Sequence, residues 1–416
     1  MKRNARILQI AAAWFALLFF CISCAGRNSI IVDVDPIGFF SETTVKPAPR
    51  LSAPAEDTPR PSPINQTEEP GAAPHTRSAT FIACVDCIAH DAVIADALKR
   101  ANEEHPNYNF YDMFAGIAPL IKAADVSYIN MEGCVGGPEF GYRGYPRFNA
   151  PNEIGTTFAE LGFDVVNIAN NHMMDYNEEG YANTIAYFHL LPFTTIGGYT
   201  KQDYDRVRIV ERNGIRIAFL SYLTRINLNN LLPESSEYLL PFALEEDITR
   251  QVGIARANAD FVVVSMHWGV ENITMPNEEQ TRLAKLLADL GADVVVGNHT
   301  HTVLPVEWIT GENGNRTLVA YSLGNCISTM HYTEYLAGAM LSLSLNMSDT
   351  GEKSVSDVRI IPIVTHYSLQ RDQVALHLLS DYSEELARQH GSTLKNDFSF
   401  ELLQRCYDAV SAEFMR

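Results

Sequence analysis

Cysteine is scarce in this chain. Seven in 416 residues are too few for a fold stapled by disulfides. Positive charge is scarce as well: lysine and arginine number 31 against 50 acids, a formal charge of −19. A surface of that sign repels phosphate backbones and anionic headgroups, which excludes nucleic acid as the main partner. Only one apolar run approaches spanning length, so a polytopic membrane protein is excluded. There is no Gly-x-Ser-x-Gly elbow, P-loop or dinucleotide fingerprint, and no Cys/His pair with a catalytic signature. What remains is ordinary globular composition, 46% hydrophobic and 19% charged, which excludes wholesale disorder and fibrous repeats. The length suits about two to three domains.

The apolar run lies at the start. Lys2, Arg3 and Arg6 precede residues 7–22, which are apolar except for Gln9. These are the n-region and h-region of an export signal. The run ends Cys21-Ile22-Ser23-Cys24-Ala25-Gly26. The small Ser23 suits lipoprotein cleavage with lipidation of Cys24, and an uncleaved anchor helix has equal weight, with plain cleavage and release behind both. All three place the body outside the cytoplasm, and the first two attach it to the cell membrane. Residues 1–24 are therefore a signal peptide or membrane anchor. Residues 25–79 form a disordered linker, because nine of the 20 prolines fall within 36–74 and such a stretch builds an extended tether rather than a core.

From residue 80 onward, short apolar runs alternate with helical patterns, as in an α/β fold. Six of the runs end in polar clusters. Residues 80–85 lead to Asp86, and 124–129 to Asn130-Met131-Glu132. Residues 163–169 lead to Asn170-Asn171-His172, and 261–266 to His267-Trp268-Gly269. Residues 292–297 lead to Asn298-His299-Thr300-His301, and 318–321 to Ser322-Leu323-Gly324-Asn325. Ligands of α/β sheets bind beyond the carboxyl ends of the strands. Asp, Glu, Asn and His are the side chains that hold divalent metals. One such cluster is usually a cap; six in phase predict a metal site. Between the last two histidine-bearing runs, Leu283, Leu286, Leu287 and Leu290 form a helical stripe closed by Gly291, with Pro276 at its start. His299 and His301 are two apart, so in extended chain both face one way.

Taken together, these motifs resemble the CapA family of poly-γ-glutamate capsule biosynthesis proteins, over about residues 80–340. The stretches that carry the resemblance are Ala169-Asn170-Asn171-His172 with Asp175, His267-Trp268-Gly269 with Glu271, Gly291-Ala292-Asp293, Gly297-Asn298-His299-Thr300-His301 and Tyr321-Ser322-Leu323-Gly324-Asn325. The resemblance implies a calcineurin-like metallophosphoesterase sandwich of two β-sheets flanked by helices. It implies Asp86, Glu132, Asn171, His267, His299 and His301 as ligands of one or two divalent ions, and His172 as the acid that assists the leaving group. Asn130, Asn170, Asp175, Trp268, Glu271 and Asn325 would support the ligands or contact substrate. The mixed O/N ligand set suits Mn, Fe or Zn. The chain departs from the family pattern at Val85, Ile88, Thr300 and Cys326. His90 is read as a supporting or surface histidine, and Cys134 and Cys326, beside the site, as small buried residues. Cys84 and Cys87 are spaced C-x-x-C, and pairing them would need a bulge.

Residues 341–416 are expected to form an extension of a β-hairpin, with its loop at 346–357, and helices at 382–390 and 399–415. Three functions fit. The first is an exported, tethered protein acting in polyglutamate synthesis, export or anchoring, with the polymer or a capsule-synthesis membrane complex as partner. The second is an extracytoplasmic metal-dependent phosphoesterase. The third is a metal-binding scaffold without turnover.

Overall fold

The structure is a computed structural model and describes residues 76–227 and 231–415. The export signal or anchor, Cys24 and almost all of the expected linker lie outside the described residues. Among the described residues fifteen strands follow in chain order. The first five are β1 (Thr76–Ile88), β2 (Val126–Glu132), β3 (Val165–Asn167), β4 (Thr194–Ile196) and β5 (Tyr199–Thr200). Next come β6 (Arg208–Arg212), β7 (Ile215–Leu223), β8 (Tyr238–Leu239), β9 (Phe261–His267) and β10 (Val294–Asn298). The last five are β11 (Val306–Thr310), β12 (Arg316–Ala320), β13 (Ala337–Ser348), β14 (Lys353–His366) and β15 (Ala375–Leu378).

They build two mixed sheets, ordered β15-β14-β13-β1-β2-β3-β4 and β11-β12-β10-β9-β7-β6. Strands β1 to β4 run parallel, as do β7, β9, β10 and β12, while β13, β14, β15, β6 and β11 pair antiparallel. The central parallel strands are apolar runs buried along their whole length, Phe261–His267 and Val294–Asn298 among them, as strands covered on both faces must be. Phe81 of one sheet meets Phe219 of the other at 6.2 Å between ring centroids, and the Tyr128 hydroxyl bonds Ser265 Oγ across the same interior at 2.7 Å. On the far side of the second sheet, helices α1 (Glu245–Asn258) and α2 (Glu278–Leu290) cover an apolar layer that includes Ile248, Val264, Leu283 and Leu287. This is the expected sandwich of two sheets with flanking helices.

Helix α2 shows how the sequence sets its own limits. Asn277 accepts from Gln280 N–H while the Gln280 side chain accepts from Asn277 N–H, a reciprocal cap that fixes the start one residue beyond Pro276. Gly291 closes the helix at φ 89°, where any Cβ would be strained.

Two expected boundaries move. β1 begins at Thr76, inside the stretch read as linker to residue 79, because residues 76–83 pair with β13. The boundary at 340/341 cuts through β13, which lies between β1 and β14 in the first sheet. The C-terminal hairpin is thus part of the sandwich and not an addition to it, and its turn is shorter than expected, between Ser348 and Lys353. The terminal helices are also shorter, Glu384–Arg388 and Phe400–Arg405.

Candidate metal centre at the strand ends

The parallel strands of the two sheets end at one edge, and the polar clusters meet there. β1 and β2 stay in register to Cys84–Ile129 and resume at Cys87–Met131. The intervening bulge aims Asp86 inward from the strand instead of following it, with Asp86 at φ 33°. Asn130 Nδ2 donates to Asp86 Oδ1 at 2.7 Å, and His299 N–H donates to Oδ2 at 2.9 Å. The latter bond joins the two sheets. His301 lies 3.9 Å from Asp86 Oδ2 through Nδ1 and 3.9 Å from Glu132 Oε1 through Nε2. One ligand atom from each of Asp86, Glu132 and His301 lies within 4.8 Å of the others. His299 and His301, at φ 92° and 60°, occupy left-handed backbone that costs non-glycine residues about 1–3 kcal/mol each and clusters at functional sites.

The remaining expected donors complete the ring. His267 Nε2 meets Asn171 Oδ1 at 2.9 Å, and the rings of His267 and His299 are 4.6 Å apart. Asn325 Oδ1 faces His301 Nδ1 at 3.0 Å, leaving Nε2 for a ligand; this is how supporting residues fix the tautomer of a metal-binding histidine.

The donors fit divalent metal on two observations. First, Glu132 Oε2, His267 Nδ1, His299 Nδ1 and Asn298 Oδ1 are buried without a hydrogen-bond partner, although such atoms normally have one. Second, burial pushes the Asp86 carboxyl up, and burial with the charges of Asp86, Glu271 and Asp175 pushes Glu132 well up. Burial also holds His267 and His299 far below the usual imidazole range, with neighbouring imidazoles adding to it. Two crowded carboxyls and neutral imidazoles are a set that a cation relieves.

His172 stands at the lip. Its Nδ1 is 2.8 Å from Asp175 Oδ2, which also accepts Phe148 N–H at 2.7 Å. The Phe148 ring meets the imidazole edge-to-face at 4.6 Å. Asn170 is consumed in holding the loops: its Oδ1 accepts Gly133 and His172 N–H, and its Nδ2 donates to Met131 and Ile168 carbonyls.

Trp268 is not brought to the centre. Alternation along β9 sends His267 inward and Trp268 to the opposite face. There it is fully buried, stacks on Tyr321 and donates to the Tyr321 carbonyl at 2.9 Å, so its role is packing. Glu271 is exposed and reaches the centre only through its charge on Glu132. His90 accepts Thr329 N–H at 3.3 Å through Nδ1 and is held at about 3 by burial, with neighbouring imidazoles and Arg371 adding to it; it is no part of the donor triad. Cys84, Cys87, Cys134 and Cys326 are free and buried, and burial raises the Cys134 thiol to about 12.

Two contributors carried no motif. Asn227, just after β7, donates through Nδ2 to His172 Nε2 at 3.1 Å and accepts from Asn171 at 3.4 Å. Arg147 clasps the Asp175 carbonyl with Nε at 2.7 Å. Only the position of Asn227 beyond a parallel strand could have singled it out.

The profile described as Bacterial capsule synthesis protein PGA_cap matches residues 80–330. The chain belongs to this family. Similar to this PGA_cap chain are the PGA biosynthesis protein CapA of Bacillus subtilis and the capsule biosynthesis protein CapA of Bacillus anthracis. Each is 29% identical, over 264 residues (60% of this chain, 65% of the relative) and 243 residues (57% and 58%) respectively. The chain thus spans less than two thirds of either relative. Among solved structures, the NAD nucleotidase NadN of Haemophilus influenzae aligns at a TM-score of 0.45 and 13% identity, covering 80% of this chain and 59% of that one. The PGA_cap chain is an α/β sandwich of two mixed sheets with flanking helices, with the candidate donors at its strand ends.

Proposed function

We propose that this is an exported, membrane-tethered protein that acts in poly-γ-glutamate capsule synthesis, export or anchoring through a divalent-metal site. The observation that carries the reading is the convergence of Asp86, Glu132, Asn171, His267, His299 and His301 on one edge of a PGA_cap-family chain. A bound divalent ion supplies Lewis-acid polarisation of a phosphoryl or carboxyl oxygen and lowers the pKa of water. The residues of the chain do the rest. Asp86, Glu132 and the imidazoles hold the charge. Asn325 and Asn130 orient His301 and Asp86. With Asp175 accepting the His172 Nδ1 proton, Nε2 is the acceptor that faces the cleft beside Asn227, and it can pass a proton to a leaving group once it has taken one in place of the Asn227 bond. Net charge of −19 means an anionic substrate is received only where cations are concentrated.

The His172–Asp175–Asn227 arrangement specifically favours a second reading, turnover of an envelope phosphoester. Deletion of the gene in a polyglutamate-producing strain tests the first: unchanged extracellular polymer would remove it. A panel of phosphomonoesters and phosphodiesters, offered to metal-loaded protein and to its His172→Ala variant, tests the second. Bound metal without turnover on the panel would leave a binding role.

A further inference from the structure

A cavity of about 510 Å³ opens beside the metal centre. Its walls join that centre at two points. Tyr335 O accepts from Asn325 Nδ2 at 2.8 Å, and Asn325 in turn holds His301. On the other side His90 lies edge-to-face with Phe148 at 5.4 Å, and Phe148 packs on His172. The cavity therefore adjoins the donor edge without being part of it.

Its lining is aromatic with one basic corner and one carboxylate, Asp91, whose Oδ1 accepts Gly144 N–H at 2.7 Å. Tyr145, Tyr332 and Tyr335 supply the walls, and Tyr145 and Tyr332 are 74% and 53% exposed, although large rings are usually covered. In the corner, Arg371 Nη1 and Lys395 Nζ approach His331 Nε2 at 3.4 and 3.5 Å. Arg371 Nη2 donates to the Thr329 carbonyl at 2.7 Å, while its Nε is buried with no partner. Arg371 is itself at φ 59°. Among the described residues no carboxylate pairs with Arg371 or Lys395, in a chain where acids outnumber bases by 50 to 31. A guanidinium that lines an aromatic-walled pocket and has no carboxylate partner is a group that can receive an anion, and pockets of this size with few polar groups are the ordinary form of ligand sites.

We propose that this cavity is a carboxylate-binding subsite for a flexible acidic chain, with a side-chain carboxylate on Arg371 and His331 and the methylene stem against Tyr145, Tyr332 and Tyr335. The subsite holds one residue of the chain while the adjoining segment lies over the metal donors. A carboxylate suits the planar fork better than a bulky dianion does, and the rings suit a hydrocarbon stem. The inference rests on the polyglutamate reading for the identity of the chain, but its residues are separate from the metal donors.

The test is calorimetric titration of the full chain, in chelator, with tri-γ-glutamate and with its fully amidated analogue. The trimer is expected to bind and the amide not to. Arg371→Gln should weaken the trimer's Kd by about tenfold to a hundredfold, the loss of a charge-assisted bond. Because Arg371 also ties down Thr329, Tyr332→Ala, at an exposed ring, is the second variant and should weaken binding without altering the melt. His299→Ala/His301→Ala should retain the trimer's affinity. Equal affinity for the amide, an unaffected Kd in both cavity variants, or absence of trimer binding would overturn the proposal. Loss of affinity in His299→Ala/His301→Ala alone would assign the trimer to the metal donors and overturn it too. Metal uptake with no trimer binding would refute the subsite and leave the metal reading standing.

Discussion

Replacing Glu132 by glutamine separates metal binding from fold stability, because the residue is isosteric and its carboxyl is already crowded. Glu132 is 1% exposed, its Oε2 has no partner, and burial with the charges of Asp86, Glu271 and Asp175 raises it well above the usual range. Without metal, the neutral amide removes a buried acid beside Asp86, so the metal-free variant should melt no lower than the metal-free parent. With metal the two diverge. An ion at a hundredfold excess over its Kd adds about 2.7 kcal/mol to the parent. Unfolding entropy of roughly 2.1 cal/mol/K per residue, over the ~340 residues from Thr76 to Met415, gives about 0.7 kcal/mol/K. The parent should therefore gain about 4 °C in Tm. Losing a charged ligand weakens Kd by tenfold to a hundredfold or more, so Glu132→Gln should gain about 2 °C or less. Differential scanning calorimetry with and without Mn²⁺ or Zn²⁺, beside elemental analysis, measures both. A full shift in the variant, or a metal-free variant that melts well below its parent, would refute the assignment of Glu132 as a donor under charge strain.

Three further outcomes are expected. Asp175→Asn removes the shared acceptor of His172 and Phe148 N–H. It should cost about 1.5–3 kcal/mol in urea melts, and it should lower any His172-dependent turnover more than metal content. Burial lowers His366 to about 4, with His377 adding to it, and burial lowers His390 to about 3. Folded values below the unfolded one mean stability present above about pH 6.5 and lost as pH falls toward 4 and below. Urea melts should show this fall, and His390→Gln should flatten it by up to about 1.4 kcal/mol per pH unit; an unchanged slope would show that His390 charges without penalty. Gly297→Ala would set a Cβ 2.0 Å from the Tyr321 carbonyl oxygen, so it should destabilise by about 1–3 kcal/mol or more and shift the donors behind it, which circular-dichroism melts and metal uptake would register together.

The parts of the site that could be read beforehand were those in which one strand carries its own polar terminus. Asp86, Glu132, Asn171, His267, His299 and His301 each follow an apolar run, and parallel packing brings such termini to one edge without further information. Asn227 escaped because the loop after β7 has no patterned neighbours and its role depends on where His172 already stands. Trp268 misled through adjacency to His267, when the two-residue period of a strand separates them. β1 starts earlier than expected because residues 76–80 are nearly all polar and look like linker until β13 pairs with them. The Arg371 cavity was invisible for a different reason: Tyr145, Tyr332 and Arg371 come from three distant segments whose meeting is decided by packing alone.

The bond from His299 N–H to Asp86 Oδ2 spans 213 residues of chain, and the donors are divided between the sheets, Asp86, Glu132 and Asn171 from one and the histidines from the other. No half of this protein owns the centre. Loop closure over such separations comes late in folding, so the donor set exists only after both sheets have formed and docked. A metal ion in it would act as a clasp on the finished sandwich, selecting chains that have completed folding, and a truncated chain that kept either sheet alone would carry fragments of a site with no affinity to report.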